Sequence, residues 1–206
     1  MQIMEEHNLT DGRDQRRCLM TKKNGDLDAA MLYRALKSAH GSPDPWAKFV
    51  WQNKAPPRVK FFAWLLSQNK IQSKVALRNK NIVDNTVCEV CQHPEETAAH
   101  IIFGCPNAKQ FWSALQIPTE EDWPIQAILE IQTPPQLPSK HFSTFLLLCC
   151  WHIWKRRNNK VFRAEQTSIA ATITACKTEA YLWGARLPRD SRDIATAWCS
   201  ALSSAM

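Results

Sequence analysis

The stretch Cys88–Cys105, CEVCQHPEETAAHIIFGC, holds three of the chain's eight cysteines, with His93 and His100 between them. The spacing is Cys88-x2-Cys91-x8-His100-x4-Cys105. Two thiolates separated by two residues can grip one ion from a tight turn, and a second pair can complete the tetrahedron that Zn²⁺ takes in closed structural sites. Thr97 can cap a short helix with His100 near its middle. Gly104 can end that helix in a left-handed conformation that returns Cys105 toward the imidazole. His93 is the rival ligand, but it lies two residues after Cys91 and beside Pro94, a strained place from which to chelate. A disulfide and an unrelated set of buried residues are the other readings. Four protein ligands leave no open position, so a zinc held here is expected to stabilise structure and not to activate water.

Working outward, the prolines and apolar spacing mark helices on both sides. Leu27 to Ala39 reads as an amphipathic helix, and HGSPDP then breaks the chain. Pro56 and Pro57 suit a first helical turn, with Val59, Phe62, Ala63 and Leu66 on one face. Ser73 can cap a short helix through SKVALRNKNI, and Pro106 can start another that carries Phe111, Trp112 and Leu115. Beyond the cluster, a long helix is expected from Lys140 to about Phe162, and another from about Ser168 to Trp183. Long alternating Val/Ile/Thr runs are absent, so the expected fold is mostly α: a small helical zinc-binding domain followed by a helical C-terminal region. The expected divisions are a flexible leader at 1–26, the zinc-binding domain at 27–117, a Pro-rich linker at 118–139, the C-terminal region at 140–187 and a weakly structured tail at 188–206.

The chain has 206 residues, 45% of them apolar, enough for one substantial core. Its formal net charge is +7, which favours an acidic partner such as nucleic acid. The opening MQIMEEHNLTDGRDQRRCLM has early acids and no apolar run, so no secretory signal is expected. The most apolar run, Phe142 to Trp154, is too short for a membrane span of roughly 20 residues. A nuclear or cytoplasmic, reducing location is therefore expected, where paired cysteines point to metal before disulfide.

Charge is unevenly placed. Between Lys54 and Lys80 there are seven basic residues, Lys54, Arg58, Lys60, Lys70, Lys74, Arg78 and Lys80, and no acid. From Asn81 to Cys105 there are four acids and no Lys or Arg. Three thiolates on Zn²⁺ add about one more negative charge. The knuckle is thus a poor phosphate binder, and any electrostatic grip belongs to the helices before it. A second basic cluster, Lys155, Arg156, Arg157 and Lys160, with Arg163 beyond, follows the apolar run. These cations can neutralise phosphates or sit favourably at a helix C-terminus, while Trp151 and Trp154 read as core residues.

The segment from Trp46 to Leu115 resembles the reverse-transcriptase zinc-binding domain of plant LINE-type retroelement proteins. The matching features are the Trp46 and Trp51 opening, PPRVKFFAWLL, the Asn81–Ile82 pair before the cluster, C-x2-C, E-T-x-x-H at Glu96 to His100, Cys105–Pro106 and Phe111–Trp112. The resemblance extends over roughly residues 27 to 116, and WHIWKRRNNKVF resembles a segment that often follows this domain. It implies Cys88, Cys91, His100 and Cys105 as zinc ligands, and a role in handling nucleic acid beside a polymerase. The chain shows no Asp-Asp polymerase signature and no acidic constellation readable as RNase H, so it is expected to be a non-catalytic fragment or domesticated product. Two functions compete: binding of RNA or single-stranded DNA with low sequence specificity, and a protein-interaction module that uses its Trp-rich apolar helices.

Overall fold

The computed structural model describes residues 21–22, 24, 26–39, 44–120 and 122–206. Apart from residues 21, 22, 24 and 26, the expected leader, with Cys18, lies outside the described residues. The chain divides into two compact units at Pro43–Asp44. Among the described residues there are eight α-helices and no strand, as the mostly α expectation requires.

In the first unit, helix α1 (Ala29–Ala39) starts where the Asp28 carboxylate accepts the Met31 amide N–H at 3.0 Å. That cap sets the start two residues later than the apolar spacing alone suggests. Its Leu27, Met31, Tyr33 and Leu36 neighbourhood is exposed, and no residue of α1 is buried.

The second unit, Asp44–Met206, contains the remaining seven helices: α2 (Pro45–Trp51), α3 (Pro57–Ser67), α4 (Lys74–Arg78), α5 (Pro106–Ala114), α6 (Phe142–Arg163), α7 (Ile169–Gly184) and α8 (Asp193–Ser204). Their starts follow local chemistry. Asp44, Ser73 and Ser168 each accept an amide hydrogen bond at an N-terminus, while Pro45, Pro57 and Pro106 occupy first turns, where the missing N–H costs little.

Helix α6 organises this unit. Residues Thr144–Cys150 are all buried, so its first half is apolar all round, as befits a helix surrounded by protein. Phe62 of α3 packs edge-on to Trp151 at 5.3 Å between ring centres and stacks near Trp154 at 6.0 Å. The apolar run, one of the helices on which the protein-interaction reading rests, is thus largely covered by the chain's own helices. On the other side α7 and α8 pack closely: a Cβ added at Gly184 would lie 2.8 Å from the Ala195 Cβ.

Two segments differ from their expected character. Residues 118–139, read as a linker, bury Ile125, Ile128, Ile131 and Leu137 in the core, with a 3-10 turn at Ile125–Leu129. Prolines end helices there without freeing the chain from the surface beneath it. The tail from residue 188 is corrected from weakly structured to helical. Ile194, Trp198 and Leu202 recur every four residues in α8, and all three are buried.

Candidate metal centre and basic surface

The loop before α5 is built to converge its sulfurs. The Thr86 carbonyl accepts the Glu96 amide at 2.7 Å, and the His93 carbonyl accepts the Cys88 amide at 2.9 Å. Gln92 takes a left-handed backbone (φ 63°), which closes the turn behind Cys91. The Thr97 hydroxyl then accepts the His100 amide at 3.0 Å, the cap expected for the short helix. That helix is a wide π turn, His100–Gly104, in which the Cys105 amide donates back to the His100 carbonyl at 2.6 Å.

These turns bring the Sγ atoms of Cys88, Cys91 and Cys105 and a ring nitrogen of His100 within 4.8 Å of one another. Zn–S bonds of about 2.3 Å would place tetrahedral sulfurs roughly 3.8 Å apart, so the quartet needs only a small contraction to close on an ion. Three soft thiols and an imidazole also form the donor set that zinc favours over harder cations. His93 stays outside: it is exposed, stacked on the His100 ring at 4.6 Å, and its Nδ1 accepts the Glu95 amide.

Crowding of the three sulfurs already favours a thiolate. A hydrogen bond from Cys105 holds the Cys88 thiol down to about 3 against the effect of burial, with His100 and the Val90 and Cys91 amides adding to the pull. The same contact, with burial, pushes Cys105 strongly up, and burial raises Cys91. Three sulfurs this close cannot all ionise together unaided, and a divalent cation would let all three bind as thiolates.

The centre is tied to the rest of the unit through Glu96, which has no exposed surface. Its carboxylate accepts the Lys74 amide at 3.0 Å, at the start of α4. It also pairs in a fork with Arg157 of α6, which is 4% exposed. Burial pushes the Glu96 pKa up, while Arg157 and the Lys74 amide oppose that shift. The Arg157 guanidinium lies over the Trp154 ring at 5.3 Å and near Phe162 at 5.9 Å. Arg157 was expected to face phosphate; it faces inward instead, as the counterion of a buried carboxylate.

The other expected cations fall into two groups. Lys74 pairs with Glu89, Arg58 and Lys155 pair with Glu179, Arg156 donates to the Thr167 carbonyl, and Lys60 donates to the Trp51 carbonyl. Lys54, Lys70, Arg78 and Lys80 are exposed, and Lys160 half-buried, with no ion pair among the described residues. Sequence reasoning missed the Glu96–Arg157 strut because its halves lie 61 residues apart. The one available signal was Glu96 itself, fixed beside Thr97 in the E-T-x-x-H pattern.

The family model for zinc-binding in reverse transcriptase matches residues 29–112, which span α1 to α5 and include all four convergent residues. An Arabidopsis thaliana protein bearing the name "Putative ribonuclease H protein At1g65750" is 22% identical over 123 residues. That alignment covers 55% of this chain and 19% of the relative. No solved structure matches the chain. No helix among the described residues is long and apolar enough to cross a membrane. The matched family is an accessory zinc-binding domain and not a catalytic one. Residues 29–112 of this chain thus match the family of zinc-binding domains in reverse transcriptase, and a helical region follows them in sequence.

Proposed function

We propose that the chain is a non-catalytic nucleic-acid-binding module, with Zn²⁺ held by Cys88, Cys91, His100 and Cys105 as a structural clasp. The preferred ligands are RNA or single-stranded DNA, read with little sequence specificity. The observation that carries this reading is the run around α4. There Lys70, Arg78 and Lys80 are exposed without acidic partners among the described residues, and α4 itself is anchored to the clasp loop through Glu96. When bound, zinc supplies only a fixed geometry; its four ligands leave no position for water. Lys74 serves a different end, because its ammonium pairs with Glu89 of the knuckle.

Phosphate contacts by cations release counterions, so affinity falls steeply with salt. Neutralising Lys70, Arg78 and Lys80 together to Gln is expected to reduce the log–log salt slope for a single strand by about 2, at roughly 0.7 per contact. Fluorescence anisotropy with a labelled oligonucleotide at several salt concentrations measures this. Unchanged affinity and slope in the triple variant would refute the reading. Against the competing protein-docking role stands the burial of Thr144–Cys150 of α6, although α1 carries exposed apolar residues and Phe61, Tyr181 and Leu182 are exposed on other helices.

A further inference from the structure

A concavity lies away from the clasp, between the C-terminal end of α2, the start of α3 and the turn after α7. It is an open depression of about 360 Å³, lined by Trp51, Gln52, Asn53, Lys54, Ala55, Lys60 and Arg186. That volume is at the lower end of small-ligand sites. Three of these residues are cations and none is an acid. Each of two cations is held in place by a backbone carbonyl: Lys60 Nζ donates to Trp51 O at 3.1 Å, and Arg186 Nε donates to Lys54 O at 3.2 Å. The terminal nitrogens of Arg186 and the ammonium of Lys54 keep no partner among the described residues. Like charges gathered without an acid repel one another, and an anion relieves that cost. Consistently, the Lys60 ammonium is held below its usual range by burial, by Lys54 and by Arg186.

The aromatic wall completes the chemistry. Trp51 is 51% exposed, and its ring leans on Trp64 at 6.0 Å with a 42° tilt. A supported indole with an open side is a platform for a nucleobase, and fixed cations beside it suit the adjoining phosphate. The rim is stiffened from beneath, since Asn53 Oδ1 accepts the Ala55 amide at 2.8 Å and the Thr144 hydroxyl accepts the Lys54 amide at 3.3 Å. We infer that this pocket holds one nucleotide of a single strand, its base stacked on Trp51 and its phosphate gripped by Lys54, Lys60 and Arg186. This rests on the nucleic-acid reading above and sharpens it: the ligand must offer an unpaired base, and Arg186, outside the matched domain, belongs to the site.

The test uses the full zinc-loaded chain with a labelled oligothymidylate and a labelled duplex of equal length. Trp51→Ala is expected to weaken single-strand binding about tenfold, and Trp51→Phe to retain most of it. Arg186→Gln is expected to lower the single-strand salt slope by about 0.7. Duplex binding should change by less than about twofold in all three, because paired bases cannot stack on the indole. Circular dichroism melts confirm that each variant is folded, and Trp51→Phe and Arg186→Gln keep the test open should Trp51→Ala unfold. Native-like single-strand binding by folded Trp51→Phe, Trp51→Ala and Arg186→Gln chains alike would overturn the pocket and leave the α4 surface standing. Equal losses on duplex and single strand would overturn the stacking role. No binding of either nucleic acid by the native chain would overturn the nucleic-acid reading itself, and the pocket with it.

Discussion

Replacing Arg157 by Met isolates the strut between the clasp loop and α6. Methionine keeps apolar contact with Trp154 and Phe162 but removes the charge, leaving the fully buried Glu96 carboxylate with only the Lys74 amide as a donor. Breaking one side of a buried ion pair costs about 3–5 kcal/mol, and loss of the cation–π contact adds about 0.5–1 kcal/mol. Against a total stability of about 5–15 kcal/mol for a domain, that is a large fraction. Urea unfolding of the zinc-loaded chain should therefore show a midpoint lower by about 1–2 M. The pH dependence carries a second signature. Burial already raises Glu96, so this group's contribution to stability falls as pH rises through its folded value; without Arg157 the pKa rises further. The gap between variant and native protein should consequently widen as pH rises above the ordinary carboxylate value of 4.5. Adding Glu96→Gln to Arg157→Met should recover part of the loss, since no buried charge is left unpaired. A single variant within about 1 kcal/mol of native, with a gap independent of pH, would refute the strut.

Three further outcomes follow from neighbouring contacts. His152, and beyond it Lys155, hold the Glu179 carboxyl down to about 2 against burial, so its contribution is present above the ordinary value of 4.5 and is lost as pH falls; Glu179→Gln should flatten the acid limb of thermal melts. Gly184→Ala should destabilise by about 1–3 kcal/mol despite alanine's better helix propensity, because its methyl meets Ala195 where α7 and α8 touch; calorimetry would show Tm lower by about 2–4 °C per kcal/mol. His93→Ala should retain one zinc per chain by elemental analysis, whereas His100→Ala should not hold it, since only His100 joins the sulfur cluster.

Local chemistry was legible in the sequence, and tertiary assignment less so. Ser73 and Ser168 cap helices through bonds that their own neighbours complete, so spacing alone located them. The four convergent residues lie within one short segment, where ligand type and spacing already constrain the loop. Arg157 shows the opposite case. A run of cations after an apolar helix reads as a phosphate grip, and nothing local reveals that one member turns inward to a carboxylate 61 residues away. Residues 118–139 failed for a related reason: proline marks where a helix stops, not whether the following Ile125 and Ile128 find a core to enter. Arg186 went unmarked because its partner surface, at Trp51 and Lys54, becomes adjacent only through the packing of α7 in the same unit.

The closed clasp is tested most directly by zinc K-edge X-ray absorption on the purified full chain. One zinc per chain is expected, with three sulfurs at about 2.3 Å and one nitrogen at about 2.0 Å, and no oxygen scatterer. A water or carboxylate oxygen in the first shell, or fewer than three sulfurs, would contradict a four-ligand structural site.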